Sequence, residues 1–180
     1  MFTALKNRFP SLQQILAIYG VISLIIFGWT LIWFFWKLPS WYYFMNMGEI
    51  ATVFAYAMAT NILESLTVFL MLLFPCVILP GKWFKDFFLS RGSSLVVLGL
   101  GYMMYISSHI GSDNDSYPTT VVRFIPVIGL LILLLTFLVG RIGFLQKLFE
   151  GLADRATIFS YIFLPVGFIS LLIVIVRNIF

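Results

Sequence analysis

The stretch "ILAIYGVISLIIFGWTLIWFFW", Ile15 to Trp36, runs for 22 residues without a charged side chain. A hydrocarbon core of about 30 Å is crossed by roughly 20 apolar residues in a helix, so this run is a membrane span. In lipid every backbone N–H and C=O must find its partner inside the structure, which leaves little besides helices. The run is too long for the apolar region of a cleaved signal, typically about 7–15 residues. It also ends in Trp33, Phe34, Phe35 and Trp36 rather than in small residues, so it is expected to be retained.

Four more apolar runs follow, Tyr56–Leu79, Ser94–Ile110, Val121–Gly140 and Ala156–Val176, of which the first carries Glu64 and the third Arg123. Ser94–Ile110 is the shortest and is interrupted by Gly99 and Gly101, which a bundle tolerates because small residues let helices approach. Composition agrees: 62% of the residues are hydrophobic and 10% charged, against roughly 25% charged in soluble domains. The expected fold class is all-α: a polytopic integral membrane helical bundle of five transmembrane helices, one domain over residues 1–180 in the cell membrane.

Basic residues set the expected orientation. Lys6, Arg8, Lys82, Lys85, Arg91, Arg141, Lys147 and Arg155 fall on one side of the five runs, eight of the eleven in the chain. Lys37, Arg123 and Arg177 fall on the other, with Asp113 and Asp115. The positive-inside rule then gives a cytoplasmic N-terminus and an external C-terminus, an alternation that five spans satisfy and four or six do not. Three connections mix aromatic and charged residues and are expected at the membrane surface: Lys37–Glu49 outside, Gly81–Arg91 and Arg141–Arg155 inside. "GSDNDSYPTT", Gly111–Thr120, reads as a polar external hairpin.

Several function classes have no support. The basic residues are scattered at span ends rather than gathered on a stripe, so nucleic acid is not an expected partner. Cys76 is the only cysteine, which rules out an intrachain disulfide. No ligand spacing suggests a metal, "GLG" at Gly99–Gly101 lacks the strand context of a nucleotide loop, and no cofactor is called for. No nucleophile stands at a fixed spacing from a base, and no stretch carries a family signature.

The polar residues inside the runs are the remaining signal. Glu64 precedes Lys82 by eighteen residues, His109 follows Arg91 by eighteen, and Arg123 precedes Arg141 by eighteen. At 1.5 Å per residue each is ~27 Å from the inner edge, so the three are expected at one outer level. Glu49, Thr52, Tyr56, Thr60, Glu64 and Thr67 recur every three or four residues and form one helical stripe, flanked by Asn61 and Ser65. A candidate cluster of Asn61, Glu64, His109 and Arg123 follows, with Tyr105, Asp113 and Asp115 as an outer rim.

Two readings of that cluster stand side by side. In the first, Glu64 and Arg123 form a structural pair, and the chain is a subunit, anchor or accessory factor in contact with lipids and another membrane protein. In the second, the cluster binds, transports or processes an anionic or lipid ligand in the outer leaflet, with Arg123 holding a phosphate or carboxylate. His109 would titrate near neutral pH in such a site, or sit among headgroups.

Overall fold

The structure, a computed structural model, describes residues 10–78, 87–109 and 119–179. Among the described residues there are five helices and no strand: α1 Leu12–Trp41, α2 Met47–Ile78, α3 Phe88–His109, α4 Thr119–Val139 and α5 Gly143–Ile179. Capping boxes start the first two. Ser11 Oγ accepts from Gln14 N (3.3 Å) while Gln14 Oε1 accepts from Ser11 N (3.1 Å). Asn46 and Glu49 repeat the exchange at α2, at 2.9 and 2.8 Å. Each box satisfies two N–H groups that the first helical turn leaves open. Glu49 therefore serves as a cap rather than as the foot of a functional stripe.

Three helices are long and apolar enough to cross a membrane: α1, α2 over Met47–Cys76, and α5. Arg123–Val139 of α4 is a shorter apolar helix. Helices and apolar runs do not share boundaries. α1 continues past Trp36 through Pro39, a turn follows at 42–44, and Met47 already opens α2. Arg141–Arg155, expected along the inner surface, joins the last apolar run from Gly143 onward in one 37-residue helix. That helix is ~55 Å long, far more than a bilayer needs. Its first half is held upright because Ala153 and Ala156, both fully buried, pack on α1. Within Gly81–Arg91, residues 81–86 lie outside the described ones, and Phe88–Arg91 begins α3.

The axis of the bundle is the parallel pair α1 and α5. Gly20 lies directly against the Ala156 backbone, and Phe27 stacks on Phe163 with centroids 4.8 Å apart. Both contacts are seven residues apart on each helix, so the two run in register over these two turns. α2 runs antiparallel along this pair: Tyr19 bonds Ser65 at 2.9 Å, Phe34 meets Phe54 at 5.2 Å, and Ile62 fills the hollow at Gly167. α3 runs parallel to α1, with Ile18 packed over Gly92, and α4 leans on α3 and hardly touches α5. α2 and α3 both pack on α1, yet they barely meet each other; Leu72 near Gly92 is where they come close.

Arg91 belongs to this packing. It is 5% exposed, and its guanidinium lies 4.7 Å from the ring centroids of both Phe87 and Phe137, in space that the missing side chain of Gly140 leaves open. Both aromatic faces stabilise the charge.

The α1–α5 seam tolerates no added volume at its tightest point. A Cβ on Gly20 would overlap the Ala156 carbonyl, whereas one on Gly28 meets nothing within 4 Å. Gly20→Val should lower stability by about 1–3 kcal/mol or more, as overpacking does. Gly28→Val should leave it nearly unchanged; reversible unfolding in mixed micelles measures both.

Candidate functional site: the cleft between α2 and α3

Because α2 and α3 diverge above Leu72, a cleft of about 660 Å³ opens between them with α1 as its floor. Ile26, Trp29 and Thr30 form the floor. Leu63, Glu64 and Met71 stand on the α2 wall, and Leu100, Met103 and Ser107 on the α3 wall. A narrower extension of about 250 Å³ continues past Leu72 toward Pro75 and Val96. Its mouth is open: Leu63, Met71 and Met103 are all more than half exposed. The walls are apolar and soft, with methionines that adapt to varied shapes.

One carboxylate interrupts them. Glu64 makes no hydrogen bond or ion pair with any described residue. The nearby hydroxyls do not turn to it. Thr60 donates to the Tyr56 carbonyl (2.9 Å) and Thr67 to the Leu63 carbonyl (2.8 Å), each on its own helix. Thr30 donates to Asn61 Oδ1 at 2.9 Å. Asn61 is 3% exposed and its amide nitrogen has no partner among the described residues. So Asn61 and Glu64 are neighbours in sequence with opposite tasks: Asn61 ties α2 to α1, and Glu64 faces the opening.

The expected common level does not extend to Glu64. Ile18 and Leu72 both reach Gly92, which puts Ile15, where the apolar run of α1 begins, level with about Pro75. Lys82, from which the count for Glu64 starts, lies outside the described residues. Glu64 instead sits beside Ile26–Thr30, close to the middle of α1. His109 closes α3 and comes level with about Phe35 by the same pairing. Ile106 and Ile125 share a groove on the other face of α3, so Arg123 stands beside the last turn of α3. His109 and Arg123 thus share a level, roughly 10 Å from that of Glu64.

Arg123 is exposed on α4, with α3 between it and the cleft, and no ion pair joins it to Glu64. Tyr105 is exposed on α3 and does not line the cleft. The imidazole of His109, and Asp113 and Asp115, lie outside the described residues. The polar stripe of α2 is divided in use. Thr52 accepts from Arg177 and Tyr56 donates to Asn178 Oδ1 (3.2 Å), both on α5, while Thr60, Glu64 and Thr67 face the cleft. Trp29, Met103 and Ser107 complete the cleft and carried no signal of their own, since Trp and Met inside an apolar run read simply as lipid-compatible residues.

No protein-family model matches the chain, and no curated protein or solved structure matches it.

If Glu64 and Arg123 do not support each other, a double-mutant cycle with Glu64→Leu and Arg123→Leu should give a coupling below about 0.5 kcal/mol, as for independent sites. Glu64→Leu alone should leave the isolated protein as stable or more so. Thr30→Val with Asn61→Leu should couple by about 0.6 kcal/mol, the usual size of an interhelical hydrogen bond in membranes. Unfolding of the six proteins and the wild type in one micelle composition decides both cycles.

Proposed function

We propose that this chain is a five-span accessory subunit of a membrane complex, with a cytoplasmic N-terminus and an external C-terminus. Its α2–α3 cleft seats one transmembrane helix of a partner protein, and Glu64 meets a basic or hydrogen-bond-donating side chain on that helix. The observation that carries this reading is a carboxylate without a partner among the described residues, in an open apolar cleft beside the middle of α1. An acidic side chain at the centre of a span costs roughly 2.5–3.5 kcal/mol. A charge at that depth is by default a functional group whose partner has to be named.

The depth of Glu64 supports a helix as the occupant rather than a lipid. A lipid carries its polar atoms at the headgroup level and offers only methylenes beside Ile26–Thr30. A transmembrane helix can bring Lys, Arg, Asn or Ser to that level, and its apolar face suits the methionine-lined walls. The reading of an anionic ligand fares less well, because Arg123 stands away from the cleft and a carboxylate repels an anion. Eight basic residues on the side of the N-terminus support the orientation.

A photoreactive benzoylphenylalanine at Met103 or Met71, placed in native membranes, tests the proposal. The expected result is one protein adduct that falls at least tenfold with Glu64→Leu. Glu64→Lys should abolish it as well, and exchanging the captured helix's basic residue for Glu should restore it. Adducts with lipid alone, or a protein adduct indifferent to Glu64, would overturn the proposal.

A further inference from the structure

A second groove lies along α1 and α5 at the Leu12 end of the bundle, away from the α2–α3 cleft, with a volume of about 480 Å³. Its floor is apolar: Leu24 of α1 with Leu148, Leu152 and Phe159 of α5. Its rim carries Lys147 and Arg155, both exposed, and between them lies Gly151, four residues from each. A Cβ on Gly151 would meet nothing within 4 Å, so the space above it is open. Helical side chains slant toward the helix N-terminus, which brings Arg155 down over that space, whereas Lys147 reaches it by turning its flexible stem back along the helix. The helix rises ~12 Å between the two basic residues, a distance that two long flexible side chains close onto one group.

The charges on this rim are available. Among the described residues neither Lys147 nor Arg155 is engaged in an ion pair. Of the nearby acids, Glu150 accepts from Gln146 Nε2 at 2.9 Å, and neither Glu150 nor Asp154 lines the groove. Depth agrees with a headgroup position. With Gly20 against Ala156, Arg155 comes level with Tyr19 and Lys147 with the residue before Leu12, so the two straddle the start of the apolar run at Ile15.

We propose that this groove is a binding site for an anionic glycerophospholipid of the leaflet at the Leu12 end. The phosphate sits over Gly151 between Lys147 and Arg155, and one acyl chain runs from there along Leu152, Phe159 and Leu24. Basic pockets between transmembrane helices at the level of the headgroups recognise anionic lipids in this way. The apolar floor continues from the charged rim toward the bundle centre, as the chain of a lipid requires and a soluble phosphate does not. This site does not depend on the role proposed for the cleft.

Native mass spectrometry of the full chain, released from detergent with added phosphatidylglycerol or phosphatidylcholine of equal chain length, tests it. The wild type should bind its first phosphatidylglycerol at least tenfold more tightly than phosphatidylcholine. Lys147→Gln with Arg155→Gln should remove that preference and leave phosphatidylcholine binding unchanged. Gly151→Leu keeps both charges but fills the seat, and should weaken phosphatidylglycerol at least fivefold; Lys37→Gln, at the other end of the bundle, should do nothing. Both site variants change exposed or open positions, and thermal unfolding confirms that each is folded. Equal binding of the two lipids to the wild type would overturn the proposal. So would a loss in the charge variant without any loss in Gly151→Leu, which would mean attraction to a charged surface rather than a seat.

Discussion

The approach of α1 to α5 at Gly20 and Ala156 governs the rest of the bundle. In a membrane no hydrophobic effect drives two apolar helices together, so contact depends on close packing of small residues. Here a glycine faces a backbone carbonyl, and Ala17, Ala153 and Ala156 are buried around it. Two turns further, Phe27 stacks on Phe163 and continues the seam. With α1 and α5 locked as a parallel pair, α2 and α3 each find a groove beside them and have no need to pack on each other. The cleft is therefore a consequence of the seam, not a local defect in packing.

Several polar groups inside the bundle pair across helices. Tyr19 and Ser65 satisfy each other, Thr30 donates to Asn61, and Arg177 reaches Thr52. Arg91 lies between two phenylalanine rings. These contacts cross from helix to helix and tie α2, α4 and α5 to their neighbours. Glu64 makes no such contact with any described residue. It stands on a wall where two helices have separated, and the threonines above and below it bond to their own backbone. Glu64 differs from the Asn61 amide nitrogen and the Ser23 and Thr136 hydroxyls, which are buried without a partner among the described residues, in that it faces an open cleft.

Helical content was legible because apolar runs of about twenty residues leave the backbone no other choice in lipid. The starts of α1 and α2 were also written locally, in Ser11 with Gln14 and in Asn46 with Glu49. Depth was harder to read. Counting from the nearest basic residue treats that residue as the membrane edge, yet Arg91 is buried on aromatic rings inside the bundle. The continuous α5 was hidden for a similar reason. Its first half mixes charges with Phe and Leu as a surface helix does, and only the alanines packed on α1 distinguish it. Which helices face each other depends on tertiary packing, so the separation of Glu64 from Arg123 had no sequence signature.

The claim on which this account rests is that α2 and α3 stand apart around Glu64 in a bilayer. Oxygen accessibility of a spin label at Leu63 or Met103, in a Cys76→Ser background, measures it directly. An open cleft predicts collision rates close to those of a label at Leu130, on the exposed face of α4. Rates as low as those at buried Leu72 would mean that the two helices close on each other, and that Glu64 is sealed inside the protein rather than offered to a partner.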